Sequence, residues 1–154
     1  MRRKDREITD KERIYQIIAG CDCCRLAFST GKSAYIVPLN FGYDREQNAF
    51  YFHGAQEGRK IDLIRQNGYA GFELDKNHEL LEEEKACEYS FRYQSVIGEG
   101  AIRILEDPEE KRHGFDCIMK QMTGRDGWEY PEAAVRHTAV LRLDVTEMSA
   151  KEKA

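Results

Sequence analysis

The chain has 154 residues and a mass of 17.9 kDa, the length of one domain able to bury a core without disulfide or metal staples. Hydrophobic residues make up 41%, with seven Phe, eight Tyr and one Trp; this excludes a mainly disordered chain, and the longest apolar stretch, Ala34 to Leu39, is far short of the ~20 residues a membrane helix needs. The net charge of −4, from 24 basic against 28 acidic residues, provides no basic face for nucleic acid.

Residues 1–8 read as a loose arm. Its basic opening, Met1-Arg2-Arg3-Lys4-Asp5-Arg6-Glu7, is followed by no apolar segment of the kind a secretory signal carries. Thr9-Asp10-Lys11-Glu12 fits a capping box, with a hydroxyl at N-cap and Glu at N3. Ile14, Ile17 and Ile18 follow at helical spacing and Gly20 closes a helix over about 10–19. Cys24, Leu26 and Phe28 alternate as a strand, and Thr30-Gly31-Lys32-Ser33 reads as a hairpin turn. Ala34 to Tyr43 is a second strand, interrupted by Pro38. Proline lacks a ladder donor, so this strand is expected at an edge, at a bulge, or facing a ligand.

Asp44 to Asn48 is a polar turn, and Ala49 to His53 a third strand. Gly58 to Gln66 reads as a short helix stopped by Asn67-Gly68. Tyr69 to Leu74 is a fourth strand, and 76–85 a polar connection. Cys87 to Leu105 is long and β-rich, with Gly98 and Gly100 marking a bend or bulge. Asp107 at N-cap and Pro108 at N1 start a second clear helix. Phe115, Ile118, Met119 and Met122 form its apolar stripe and Gly124 its end. Residues 125–137, with Trp128 and Tyr130, hold a short helical turn. Ala139, Leu141, Leu143 and Val145 alternate as a final half-buried strand, followed by a loose tail over 148–154. The pattern predicts a mainly β (α+β) chain, 1–154 being one domain: a six-stranded antiparallel barrel with peripheral helices.

Three stretches offer chemistry. In His53-Gly54-Ala55-Gln56-Glu57-Gly58-Arg59-Lys60 a strand ends, small residues turn the chain, and a helix begins. Free amides at a helix N-terminus attract anions, and arginine grips phosphate with parallel donors. The same residues fit a glycine turn followed by solvated cations. In Tyr35-Ile36-Val37-Pro38-Leu39-Asn40-Phe41 the proline leaves backbone groups free to meet a flat heterocycle, or simply makes an ordinary edge. Around Arg92, Gln94, Ser95 and Val96, Arg92 and Ser95 fit ligand contacts and a solvated face almost equally.

Cys21-Asp22-Cys23-Cys24 contains a C-x-x-C spacing without a second pair, since Cys87 and Cys117 are isolated. Buried thiols at a strand start explain it better than zinc or redox chemistry. His78, His113 and His137 show no metal spacing, so no metal is expected. Five cysteines, an odd number, point to reduced thiols and a cytoplasmic protein.

Taken together and in order, Val37-Pro38-Leu39-Asn40-Phe41-Gly42-Tyr43, Tyr51-Phe52-His53-Gly54-Ala55 through Gly58-Arg59-Lys60-Ile61-Asp62-Leu63, and Arg92-Tyr93-Gln94-Ser95-Val96-Ile97-Gly98-Glu99-Gly100 closely resemble the 5-nitroimidazole resistance proteins. These belong to the pyridoxamine 5′-phosphate oxidase-like, FMN-binding split-barrel superfamily. The opening Met1 to Ile8 and the closing Val140-Leu141-Arg142-Leu143-Asp144 share the likeness.

The resemblance implies a six-stranded split barrel forming a homodimer, with FMN (or FAD) at each subunit interface. Arg59 and Lys60 would hold the phosphate, within the turn that includes Ala55 and Gly58. Backbone groups of Val37, Pro38, Leu39 and Asn40 would meet the flavin ring. His53 would lie near flavin and substrate as the catalytic residue. Ser95 with its neighbours Arg92 and Val96, together with Trp128, would come from the partner subunit. The pyridoxamine oxidases proper end in Arg-Leu-x-Pro, whereas this chain ends Met148-Ser149-Ala150-Lys151-Glu152-Lys153-Ala154, which speaks against vitamin B6 oxidation. The expected activity is a flavin-dependent reductase of nitroaromatic or related small acceptors. The alternative is a non-enzymatic flavin- or haem-binding protein of the same fold, with His53 as an axial ligand.

Overall fold

A computed structural model of the chain describes residues 3–154; the first two residues of the expected arm lie outside them. After a 3-10 turn at Lys4–Arg6 the elements run β1 (Glu7–Ile8), α1 (Lys11–Ala19), β2 (Cys24–Ser29), β3 (Ala34–Leu39), β4 (Gly42–Asp44), β5 (Ala49–Gly54), α2 (Arg59–Asn67), β6 (Tyr69–Leu81), β7 (Ser90–Ile104), α3 (Pro108–Thr123), α4 (Glu132–His137) and β8 (Ala139–Lys153). The strands form one antiparallel sheet in the order β3-β2-β6-β7-β8-β5-β4, with β1 added to β8. Its end strands β3 and β4 do not pair, so the barrel is split. The six long strands are those expected; β1 is a short addition, and β4 is the end of the expected second strand.

Local chemistry sets most of these elements. Asp107 accepts from the Glu110 amide at the head of α3, Pro108 occupies its first turn, and Gly124 ends it in the left-handed conformation. At α1 the cap is Asp10, which accepts from the Glu12 amide, rather than Thr9. A carboxylate at the N-terminus gains from the helix dipole as well as from the hydrogen bond. The β2–β3 turn is closed by paired bonds between Thr30 and Ser33.

The core follows from the pleat. Cys24, Leu26 and Phe28 point inward from β2, and Phe50, Phe52, Phe72, Leu74 and Leu141 meet them from other strands. Phe50 is its centre, with the Tyr43 and Phe72 rings each 4.7 Å away. Ile14, Ile17 and Ile18 of α1 cover the same core. Residues Ala49–Phe52 of β5 are buried on both faces, because α3 caps a second cluster of Ala49, Tyr51, Leu105, Ile118 and Val140.

Several expectations are corrected. Residues 76–81 belong to β6, not to a loop; β6 pairs with β7 as far as Leu81↔Ser90, with a register shift between Lys76 and Glu79 where Asn77 adopts positive φ. The tail is not loose through Lys153, since 148–153 pair with β7 and Ala150 and Lys151 also pair with Ile8 and Glu7 of the arm. The expected strand Ala34 to Tyr43 is two strands broken at Asn40 and Phe41. The α3 face that packs inward is Lys111, Gly114 and Ile118, while Met122 is 55% exposed. A helix lying this close to strand backbones needs small residues at the contact, and apolar spacing does not register glycine.

Candidate functional site

The β5–α2 turn builds the site. His53 and Gly54 end β5, the exposed residues Ala55–Gly58 turn the chain, and α2 starts at Arg59 with no side-chain cap from Gly58. The first intrahelical bond is donated by the Asp62 amide to the Gly58 carbonyl, so the amides before it face outward as at any uncapped helix start. Gln56 donates to the Arg136 carbonyl at 2.7 Å and ties the turn to α4.

Two cations converge there. The Arg59 guanidinium lies 4.6 Å from the ring centre of Tyr35 on β3. The Lys60 ammonium folds back against Gly54, 2.7 Å from where a side-chain carbon would stand. Among the described residues neither cation forms a salt bridge. Burial lowers the pKa of Lys60. Burial first, and the Lys60 charge second, hold His53 below the ordinary imidazole value of 6.5, so His53 is neutral at neutral pH.

The His53 shift has a testable sign. The native state binds fewer protons at this position than the unfolded chain does, so stability rises with pH across the window. The contribution is full above the ordinary imidazole value and is lost as pH falls through the lower native one. We expect the His53 ring protons to titrate below 6.5 in an NMR titration. The loss of urea resistance on going from about pH 7 to about pH 5 should be shallower in His53→Gln than in the parent. An ordinary or raised midpoint would remove the Lys60–His53 coupling.

β3 supplies the other wall. Among the described residues it is an end strand bonded only to β2, so its second row of backbone groups is unpaired by any described strand. Val37 and Leu39 lean on the core while Ile36, Pro38 and Asn40 are exposed, and the Asn40 amide donates weakly to the Asp22 carbonyl at 3.5 Å. The stack of Arg59 on Tyr35 is what joins this edge to the head of α2. Tyr35 is the site residue that spacing missed, because β3 and α2 meet only in three dimensions.

The remaining expected residues stand elsewhere in the chain. Arg92 is paired with Glu79 at 3.0 Å. Ser95 sits in mid-sheet between Asp75 and Lys151. Val96 is fully buried in the core, so its side chain is not available to a ligand; the pleat turns it inward between its neighbours. Trp128 lies between α3 and α4, its indole N–H donating to the Arg125 carbonyl and its ring 5.0 Å from the Arg125 guanidinium. The cysteine cluster is structural: all five thiols are free, Cys21 donates to the Ile17 carbonyl, and burial pushes Cys21 up to about 11 and Cys24 higher still.

Residues 10–152 match the family model described as pyridoxamine 5′-phosphate oxidase. The chain belongs to that family. The likeness to 5-nitroimidazole resistance proteins within it also holds. A solved structure of a candidate 5-nitroimidazole antibiotic resistance protein from Bacteroides thetaiotaomicron is 35% identical, with TM-score 0.83 over 95% of this chain and 86% of that one. A FAD- and haem-binding protein from Mycobacterium smegmatis superposes with TM-score 0.83 at 17% identity, covering 96% of this chain and 73% of that one. A flavocytochrome from Azotobacter vinelandii superposes with TM-score 0.82 at 18% identity, covering 100% and 72%. At these two identities the likeness concerns the fold. No match was found among curated proteins. Among the described residues no helix is long and apolar enough to cross a membrane.

Proposed function

We propose that this protein binds FMN and serves as a reductase of small nitroaromatic or related acceptors, acting as a homodimer with a flavin at each subunit boundary. The observation that carries this reading is the pair Arg59 and Lys60: two cations without acidic partners among the described residues, at an uncapped helix N-terminus, beside the open edge of β3. The donor set fits a terminal phosphate dianion, which takes bidentate contact from Arg, a point charge from Lys and bonds from helix amides. The β3 edge fits the polar rim of a flat ring. When bound, the flavin would supply the electron-transfer chemistry.

The protein's part is to bind, orient and manage a proton. Arg59 enters the site already stacked on Tyr35, which limits the side-chain entropy lost on binding. Burial first, and the Lys60 charge second, favour the neutral form of His53, and a neutral imidazole can accept a proton or pass one on near neutral pH. A bound phosphate would offset the Lys60 charge and raise the basicity of His53, so cofactor binding and proton affinity are coupled. The dimer is supported by the outer sheet face. Ile36, Ala27, Gly71 and Glu99 lie in one cross-strand row, Pro38, Arg25, Glu73 and Ile97 in the next, and Ile36 and Ile97 are 60% and 51% exposed. The small residues Ala27 and Gly71 beside exposed Ile36 let a second subunit approach closely there. Arg92, Ser95 and Trp128 would then reach the site of the partner. The family resemblance and the flavin-binding neighbours support the cofactor class.

The test is the visible spectrum of the purified protein, taken before and after FMN, then with a reductant, then with a nitroimidazole. We expect a flavin spectrum that bleaches with reductant and returns with the nitroimidazole. Flavin that reduces but never reoxidises on the nitroimidazole would overturn the acceptor class. A Soret band would move the site to haem, and no uptake of either cofactor would overturn the reading altogether.

A further inference from the structure

A second cluster of reactive side chains stands where α3 crosses β4, outside the flavin reading. His113 and Cys117 are four residues apart on α3 and therefore share one helix face. Asp44, the last residue of β4, points at them. Its Oδ2 lies 2.8 Å from His113 Nε2, and Cys117 Sγ lies 3.6 Å from the same nitrogen. The three ligand atoms are all within 4.8 Å of one another.

The cluster is held from behind. Asp44 Oδ1 accepts the Glu46 and Gln47 amides at 2.9 and 3.1 Å, so Oδ2 is the oxygen left to face His113. The His113 ring packs edge-on against Tyr51, with centroids 5.4 Å apart at 83°, and Tyr51 is buried. Backbone contact fixes Cys117: a side-chain carbon on Gly42 would stand 2.2 Å from the Cys117 carbonyl carbon, so β4 and α3 touch through their main chains. The Asp44 side chain is 12% exposed and that of His113 46% exposed. The open side of the cluster faces a cleft lined in part by Asp116, Lys120 and Gln121.

A surface His–Asp pair alone would need neither the thiol nor these supports. Tetrahedral zinc-type coordination, with ligand distances of about 2.0–2.3 Å, places N and S about 3.5 Å apart and N and O about 3.3 Å apart. The sulfur–nitrogen spacing is already there, and the Asp44–His113 hydrogen bond needs to open by roughly half an ångström to admit a cation. We propose that Asp44, His113 and Cys117 form a three-ligand site for a borderline divalent cation of the zinc type, with water as the fourth ligand and α3 tied to β4 as the consequence. On binding, the Cys117 S–H bond breaks and the thiolate bonds to the cation; the Nε2 proton that His113 donates to Asp44 is lost and Nδ1 takes one up, so His113 ligates through Nε2 as the other neutral tautomer and the net release is the one thiol proton to solvent. The cation has two charges to match the carboxylate and the thiolate.

The probe is Co²⁺ added to the untagged full chain after chelator treatment, read as difference spectra so that bound flavin does not interfere. We expect one equivalent to bind with a sulfur-to-cobalt charge-transfer band and the intense visible bands of a tetrahedral site, and Zn²⁺ to displace it. Cys117→Ser should remove the charge-transfer band, and His113→Ala should weaken binding at least about tenfold. No cobalt binding, or binding without a sulfur band, would overturn the proposal in the unaltered protein. A sulfur band that survives Cys117→Ser would overturn it too, placing the cation at the cysteines near β2.

Discussion

Arg59→Glu is expected to weaken FMN binding by at least about 100-fold, which corresponds to about 2.7 kcal/mol. A hydrogen bond to a charged group contributes about 1.5–3 kcal/mol, and here a favourable contact with a phosphate becomes a repulsive one. The fold should survive. Arg59 is exposed at the first position of α2, where a carboxylate is favoured by the helix dipole. The loss is the stack on Tyr35, about 0.5–1 kcal/mol at an exposed site. That should lower the thermal midpoint of the apo form by no more than about 2–4 °C. Arg59→Lys separates the contributions: it keeps the charge and loses the planar fork, so its affinity should fall between the two. The measurement is fluorescence-quenching titration of FMN with melting curves of each apo variant. Wild-type affinity in a folded Arg59→Glu protein would sink the phosphate assignment and, with it, the observation on which the flavin site rests.

Gly100→Ala is expected to cost about 3 kcal/mol or more, in the range tied to a named steric mechanism, and to lower the melting midpoint by about 6–12 °C. Gly100 follows the register shift in β7, where the chain slips one position against β8. A side-chain carbon there would stand 1.9 Å from the Asp144 carbonyl oxygen and 2.8 Å from its carbonyl carbon. Both atoms are backbone within a paired strand, so no rotamer change relieves the contact; the two longest strands would have to part. Glu99→Ala, one residue away and exposed, should stay within about 0.5 kcal/mol. Differential scanning calorimetry of the three proteins decides it. A Gly100→Ala midpoint equal to the parent's would mean that the bulge does not bring these backbones together.

Signals confined to a few residues were legible in the sequence. Asp107-Pro108 and Gly124 bound α3 because caps and stops act within a turn. Cys24, Leu26 and Phe28 gave β2 its inward face because the pleat has a period of two. The start of α2 after Gly58 was readable for the same local reason. The ordered set of motifs fixed the family, and with it the split barrel.

What neighbours decide was not legible. Residues 76–81 and 148–153 are mostly polar and carry no sustained apolar alternation, yet they are strand because backbone partners in β7 and β1 satisfy their hydrogen bonds. The packing face of α3 includes Gly114, which apolar spacing does not register. Val96 was expected beside a ligand and lies in the core, since register sets which way a residue points. The stack of Arg59 on Tyr35 and the approach of Asp44 to His113, 69 residues apart, exist only once strands and helices have packed. Short-range caps, turns and periods are written in the sequence itself; which distant side chains share a site is decided by the tertiary fold, because contact at a distance depends on register and on how closely two backbones can approach.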